Sequence, residues 1–252
     1  AGYTRRFNDR FSGGMVLRYI HSDLTSGQLT PGGDETHPGT SMAADLGFYY
    51  QDQVMNGEKG KIWALGVSLS NMGPGISYTA DAENTPIPSN LRLGGRIQFL
   101  INEDHSLSVQ GDANKLLVPT PPVYDTDTAT GGLIILRGKV PPTSFLAGMI
   151  QSFYDAPGVQ MEDGSFSVLR EELHEIQYSI GMEYSFRKLL SLRMGYHSEH
   201  ASKGNRKYYT LGAGVHYHLF SLDLSRLISS NNQQSPLSNT WRVMLTCEFG
   251  KS

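Results

Sequence analysis

The sequence predicts an all-β fold, a transmembrane antiparallel β-barrel, and three observations carry that prediction. First, residues of opposite character alternate in runs of the length that a tilted strand needs to cross a bilayer, about 9–11 residues. In the clearest run Ile176, Tyr178, Ile180, Met182, Tyr184 and Phe186 share one face, while Glu175, Gln177, Ser179, Gly181, Glu183 and Ser185 share the other. Second, turn-rich polar stretches separate the runs. Third, only 38% of residues are hydrophobic, yet there are 28 Gly and 13 Tyr. That balance suits strands that carry apolar residues singly rather than helices massed around a core.

In chain order, Phe11 to Ser22 reads as a strand with Met15, Leu17 and Tyr19 on one face and Arg18 on the other. Asp23 to Thr40, rich in Gly, Ser, Thr, Pro and Asp, reads as a long loop. Met42, Ala44, Leu46, Phe48 and Tyr50 then oppose Ala43, Asp45, Gly47, Tyr49 and Gln51. Asn56 and Gly57, which both tolerate positive φ, predict a tight turn into a strand carrying Trp63, Leu65, Val67 and Leu69. SNMGPG opens a second loop that runs to Ser89. Leu91, Leu93, Gly95, Ile97, Phe99 and Ile101 alternate with Arg92, Gly94, Arg96 and Gln98. An arginine in lipid costs roughly 2–4 kcal/mol at mid-depth, so Arg92 and Arg96 are expected to face the lumen. After a short return at Asn102 to Asp104, Leu107, Val109, Gly111 and Ala113 form the next apolar row.

From Lys115 to Arg170 the alternation stops. The segment holds VPTPP, an acidic and threonine-rich stretch, the apolar run Leu133 to Leu136 and a second proline pair. Within it Phe145, Leu146, Met149, Ile150 and Phe153 recur at helical spacing, which predicts a short amphipathic helix over 143–154. Residues 115–170 are therefore expected to be a long, otherwise irregular insertion, and such segments are generally functional. Strands resume at 176–186 and 190–197, break at His200 to Arg206, and continue over 209–218 and 221–228. A polar loop, Ser229 to Asn239, leads to a last strand with Trp241, Val243, Leu245, Cys247 and Phe249 on its apolar face. The expected total is ten strands in a single domain spanning 1–252.

His197, Glu199 and His200, with His216 and His218 on the next strand, form the one histidine-rich group. A metal site or a hydrolase built on Ser198 is the sharp reading. Ser198 points away from His197 and Glu199 on a strand, however, and His216 and His218 lack a third ligand, so a hydrated lumen or loop group is expected. Arg18, Arg92, Arg96, Arg193 and Arg242 with Asp45, Asp112, Glu175 and Glu183 are expected to line the lumen and to pair with one another. No catalytic, metal-binding or cofactor-binding residues are assigned. The net charge of −3 and the scattered Lys and Arg give no reason to expect nucleic acid. A single cysteine excludes an internal disulfide framework, and no apolar run is long enough for a membrane-spanning helix. The chain opens at AGYTRRF, so a secretory leader is expected to have been removed, or the chain to be a piece of a longer one.

Several stretches together resemble the PorV family, outer-membrane barrels of the type IX secretion system of Bacteroidetes whose barrel is similar to FadL. They are GVSLSNMGPGISYT, PSNLRLGG, DANKLLVPTPP, SFYDAPG, EELHEIQYSIGMEYSF, LRMGYHSEH and KGNRKYYTLGAG, in order from 66 to 214. The resemblance implies a fourteen-stranded barrel, of which this chain is expected to be about the C-terminal two-thirds, lacking N-terminal strands. It implies a bacterial outer-membrane location and a non-enzymatic shuttle. That shuttle takes cargo by its C-terminal signal domain at the type IX translocon and delivers it to the sortase PorU of the attachment complex. Outer-membrane lipid and lipopolysaccharide are further implied partners. Candidate partner-binding residues lie in the insertion: Phe145, Met149, Phe153, Tyr154, Asp155 and Pro157. Two rival readings are a FadL-like transporter of hydrophobic molecules, with helix 143–154 as its plug, and a barrel-based lipid A esterase.

Overall fold

The computed structural model describes the whole chain except residues 25–26, 30–32, 34, 80–83, 129–130, 231–238 and 249–252. Six strands come first: β1 (Gly2–Arg6), β2 (Phe11–Ser22), β3 (Gly39–Asn56), β4 (Lys59–Met72), β5 (Asn90–Leu100) and β6 (His105–Leu116). An insertion follows with β7 (Val123–Thr126), β8 (Leu133–Arg137), α1 (Phe145–Gln151), β9 (Val159–Gln160), β10 (Phe166–Ser167) and α2 (Val168–His174). Five strands complete the chain: β11 (Ile176–Phe186), β12 (Leu190–Ser198), β13 (Lys207–Tyr217), β14 (Phe220–Ser229) and β15 (Trp241–Cys247).

One antiparallel sheet of 11 strands runs β1-β2-β3-β4-β5-β6-β11-β12-β13-β14-β15. Every neighbour is the next strand in sequence once the insertion is set aside, which is the meander that builds up-and-down barrels. The sheet curls: Thr4 of β1 and Asp112 of β6, five strands apart, line one cavity. It is not closed, since β1 pairs β2 alone and β15 pairs β14 alone. The strand count is one more than expected. GYTRR at β1 shows no apolar alternation, and it is held by its pairing with β2 from Gly2↔Val16 to Arg6↔Ser12.

Register separates the two faces. Leu107, Tyr184, Leu192 and Ala213 are consecutive cross-strand partners, as are Val109, Met182, Met194 and Leu211. These rows make an exposed apolar band, with Leu192 59% and Met194 55% accessible. The opposite, concave face carries Asp112, Ser179, His197 and Tyr208 in one row. Aromatic pairs edge the band: Tyr50 and Trp63 have ring centres 5.1 Å apart near one end, and Tyr196 and Tyr209 are 4.9 Å apart near the other. An apolar surface girdled in this way is what the lipid-facing wall of a membrane barrel carries.

Connections alternate in length. At one end the strands are joined by the short segments 7–10, 57–58, 101–104, 187–189 and 218–219, and at the other by 23–38, 73–89, 117–175, 199–206 and 230–240. The tight turn after β3 sits one residue later than expected, because Asn56 pairs Lys59 and leaves Gly57 and Glu58 at its centre. Gly57 alone of these carries positive φ, at 61°. At the long-loop end the connection after β4 folds back on β2 and β3, where Ala43, Ile76 and Ile87 form a small core flanked by Ile20 and Tyr78. Most of the polar loop expected at Ser229 to Asn239, and Phe249 in the last strand, lie outside the described residues.

Candidate functional site

Residues 117–175 are not irregular as expected. They fold into the hairpins β7–β8 and β9–β10 and two helices. The predicted helix over 143–154 is α1, shorter at both ends, with Gly148 and Met149 buried. The second helix, α2, was not expected. Ser167 caps it by accepting from the Arg170 N–H, and Glu171 lies in its first turn, where the helix dipole favours a carboxylate.

A buried ion network fastens this insertion to the strand ends. Lys115 shares the apolar face with Ala113 and Val109 by register, yet it is only 6% accessible because the insertion covers it. Its Nζ donates to Glu172 Oε2 at 2.8 Å and Glu175 Oε2 at 2.7 Å. Lys203, beyond β12, donates to Glu171 at 2.8 Å and Glu175 at 2.9 Å. The carboxylates also accept from the chain they organise: Gly158 N–H to Glu171 at 2.7 Å, Ala156 N–H to Glu172 at 3.1 Å, and the Thr120 hydroxyl to Glu175 at 2.9 Å. Burial works against the charge on Glu175, but hydrogen bonds from Lys115 and Lys203 hold its carboxyl below the usual range. Burial likewise opposes the charge on Lys203, and the bonds to Glu171 and Glu175 keep its ammonium above its ordinary value.

Asp155 lies in the same knot with no accessible surface. Its Oδ2 accepts from Thr120 N–H at 3.2 Å, and its Oδ1 has no hydrogen-bond partner. Burial, then the nearby Glu172 charge, push its carboxyl up to about 6. A second contact between the insertion and the 199–206 segment is the stack of His174 on His200, with ring centres 3.5 Å apart. Burial, and then the neighbouring His200 and Arg170, hold His174 below its ordinary value.

The outward surface of the insertion is apolar and cationic. On β8 Leu133 is 74% accessible and Ile134, Ile135 and Leu136 are exposed with it; on α1 Leu146 and Ile150 are exposed at 55% and 65%. Lys139 lies 4.0 Å over the Tyr154 ring and the Arg137 guanidinium 3.7 Å over Phe166. Large exposed apolar side chains thus stand on both β8 and α1. Of the six candidates in this segment, Phe145, Phe153 and Tyr154 stand exposed on that surface. Met149 and Asp155 are buried and hold the insertion together, and Pro157 is half-buried. Lys115, Glu171, Glu172 and Lys203 were missed, although the acidic run REELHE with two distant lysines was visible.

The concave face bears out part of the expected lumen pairing. Arg18 pairs with Asp45, whose other oxygen accepts from the Asn71 N–H at 2.8 Å. Arg193 donates to Glu183 at 2.5 Å and pairs with Asp223. Arg96 instead bonds Ser108 at 3.1 Å, and Glu175 leaves the lumen for the ion network. Two cavities on this face, about 360 and 1140 Å³, include Arg96, Gln110 and Asp112 in their walls and no residue of α1. The histidine-rich group does not assemble. His197 meets Ser179 at 3.0 Å near the long-loop end, while His216 meets Ser221 at 2.6 Å and His218 packs on Tyr217 at the opposite end of β13. Glu199 is bound by Arg206 at 2.7 and 3.0 Å, and that bond holds its carboxyl below the usual range.

Fold and site together define a class: a β-barrel-type wall with an apolar outer face, a polar inner face and one large docked insertion, an arrangement compatible with an outer membrane. The profile of the family described as "Type IX secretion system protein PorV" matches residues 1–123, so the chain is similar to that family over just under half of its length. No curated protein matches it.

Proposed function

We propose that the protein is a non-enzymatic outer-membrane adaptor of the type IX secretion system. It binds the C-terminal signal domain of secreted cargo at the translocon and delivers the cargo to the sortase PorU. One observation carries this reading: the 117–175 insertion is clamped by buried ion pairs while presenting Phe145, Leu146, Ile150, Phe153 and Tyr154 outward. A rigidly mounted aromatic and aliphatic patch suits protein recognition, because little ordering entropy is lost on binding. In bacterial barrels the longer loops lie on the extracellular side, which puts the insertion where cargo emerges.

Transport of hydrophobic molecules fits less well. Charged side chains such as Arg96, Asp112 and Arg193 stand in the walls of the concave cavities beside apolar ones such as Met182 and Phe48, and no residue of α1 reaches those walls to plug the lumen. The test is co-purification from native outer membranes in mild detergent, with the wild type and a Phe153→Ala/Tyr154→Ala variant. Recovery of translocon, sortase and cargo with the wild type, lost in the variant, supports the adaptor. A chain that purifies alone with bound fatty acid overturns it in favour of the transporter.

A further inference from the structure

The concave face carries a hollow that its ion pairs do not fill. Gln110, Gly181, Gly195 and Thr210 are consecutive cross-strand partners, so the two central positions of that row carry no side chain. The row on the long-loop side, from Asp112 to Tyr208, and the row on the short-turn side, from Ser108 to Arg193, keep theirs. Two missing side chains between complete rows leave the cavity of about 360 Å³, and the members of all three rows line it. That volume falls in the range of small-ligand sites, about 300–1,000 Å³. An amide and a hydroxyl lean over the glycine floor from either side. A Cβ on Gly181 would lie 3.3 Å from Gln110 Nε2, and one on Gly195 2.7 Å from Thr210 Oγ1.

The wall selects by hydrogen bonding rather than by charge. Arg96 already donates to Gln98 and Ser108, and Arg193 to Glu183 and Asp223. An anion would find both guanidiniums engaged and would face the Asp112 carboxylate. Among the described residues, the side chains of Gln110, Asp112 and Thr210 make no hydrogen bond. The amide and the hydroxyl can each donate and accept, and the carboxylate accepts. This set complements a ligand whose own groups both donate and accept, as sugar hydroxyls do. His197 and Tyr208, with ring centres 4.7 Å apart and planes 22° from parallel, add an aromatic wall that suits the C–H groups of a sugar ring.

We propose that this hollow binds a neutral saccharide of one or two rings, its hydroxyls held by Gln110, Asp112 and Thr210 and its C–H groups against the His197–Tyr208 wall. No residue of the 117–175 insertion lines the cavity, so the site goes beyond the adaptor reading and does not depend on it.

The test uses the full-length protein purified from outer membranes in a detergent without a sugar headgroup. Heat-modifiable gel migration first confirms that each variant is folded. Maltose and the disaccharide of N-acetylglucosamine are titrated by saturation-transfer NMR, with lysine and citrate as cationic and anionic competitors. The expected result is saturable binding of at least one disaccharide that neither competitor displaces. Gln110→Ala and Asp112→Ala each weaken it by about tenfold, the loss of a hydrogen bond. Gly181→Val fills the hollow and abolishes binding, while Ser191→Ala, on the same face outside the cavity, leaves it unchanged. No saturable binding of either disaccharide, binding that survives Gln110→Ala and Asp112→Ala, or displacement by lysine or citrate overturns the site.

Discussion

Lys115 Nζ lies 2.8 Å from Glu172 Oε2 across 57 residues of chain, and both side chains are almost fully buried. This bond, with its twin to Glu175, turns a long insertion into a part of the barrel wall. Removing one member of a buried pair strands the other charge, at a cost of about 3–5 kcal/mol. Lys115→Met therefore releases the insertion: amide exchange over 117–175 accelerates by orders of magnitude, with the strands unaffected. Lys115→Met/Glu172→Gln, which removes both charges, restores much of the protection. Equal exchange in wild type and single variant would show that the ion network does not hold the insertion.

Asp155 gives the clamp a pH dependence of definite sign. Its folded carboxyl is pushed up to about 6, from an ordinary value of 3.8. Between those values the folded state holds more protons than the unfolded one, so stability falls as pH rises through this window. The unpartnered Oδ1 is where a proton on the acid would sit. The contribution of Asp155 to docking is thus complete below about pH 4 and is lost, by roughly 1–3 kcal/mol in all, as pH rises through about 6. Asp155→Asn removes this slope and tightens the insertion at pH 7.5. Proteolysis rates of the insertion against pH, in both proteins, check it.

Gly214 keeps the lumen charges in place. A Cβ there collides with Asp223 Oδ1 and lies 3.2 Å from the Arg193 guanidinium. Gly214→Ala displaces the Arg193–Asp223 pair and destabilises the barrel by about 1–3 kcal/mol. Urea unfolding in detergent micelles, followed by tryptophan fluorescence, measures the shift. Gly66→Ala, where a Cβ meets nothing within 4 Å, is the control.

The alternation of short turns and long loops fixes an orientation. In a Cys247→Ser background, Thr126→Cys on β7 is labelled by a membrane-impermeant maleimide on intact cells, and Glu58→Cys is not. Labelling of Glu58→Cys alone reverses the orientation.

Period-two alternation was enough to place ten of the strands and both faces, because the lipid side of a barrel tolerates little besides apolar residues. β1 escaped because GYTRR carries no such pattern and owes its state to β2. The insertion escaped for a related reason: its order comes from ion pairs between residues tens of positions apart, and no local period records them. Helical spacing picked out Phe145 and Phe153, which are exposed, together with Met149, which is buried, because a period marks a helix but not which side of it the insertion covers. Asp155 was misplaced among them, since a carboxylate in a turn motif is ordinarily solvated, whereas here Thr120 and Glu172 surround it. The histidines illustrate the same limit, because His200 finds its partner in His174 rather than in its sequence neighbours.

The central claim is that the outward face of the clamped insertion meets the secretion machinery. Its most direct test is site-specific photocrosslinking in native outer membranes, with a benzophenone amino acid at Phe153 or Tyr154 and, as control, at Tyr217 near the short turns. The account predicts protein adducts at 153 and 154 that mass spectrometry identifies as translocon, sortase or cargo, and only lipid adducts at 217. Lipid adducts alone at all three positions would contradict it.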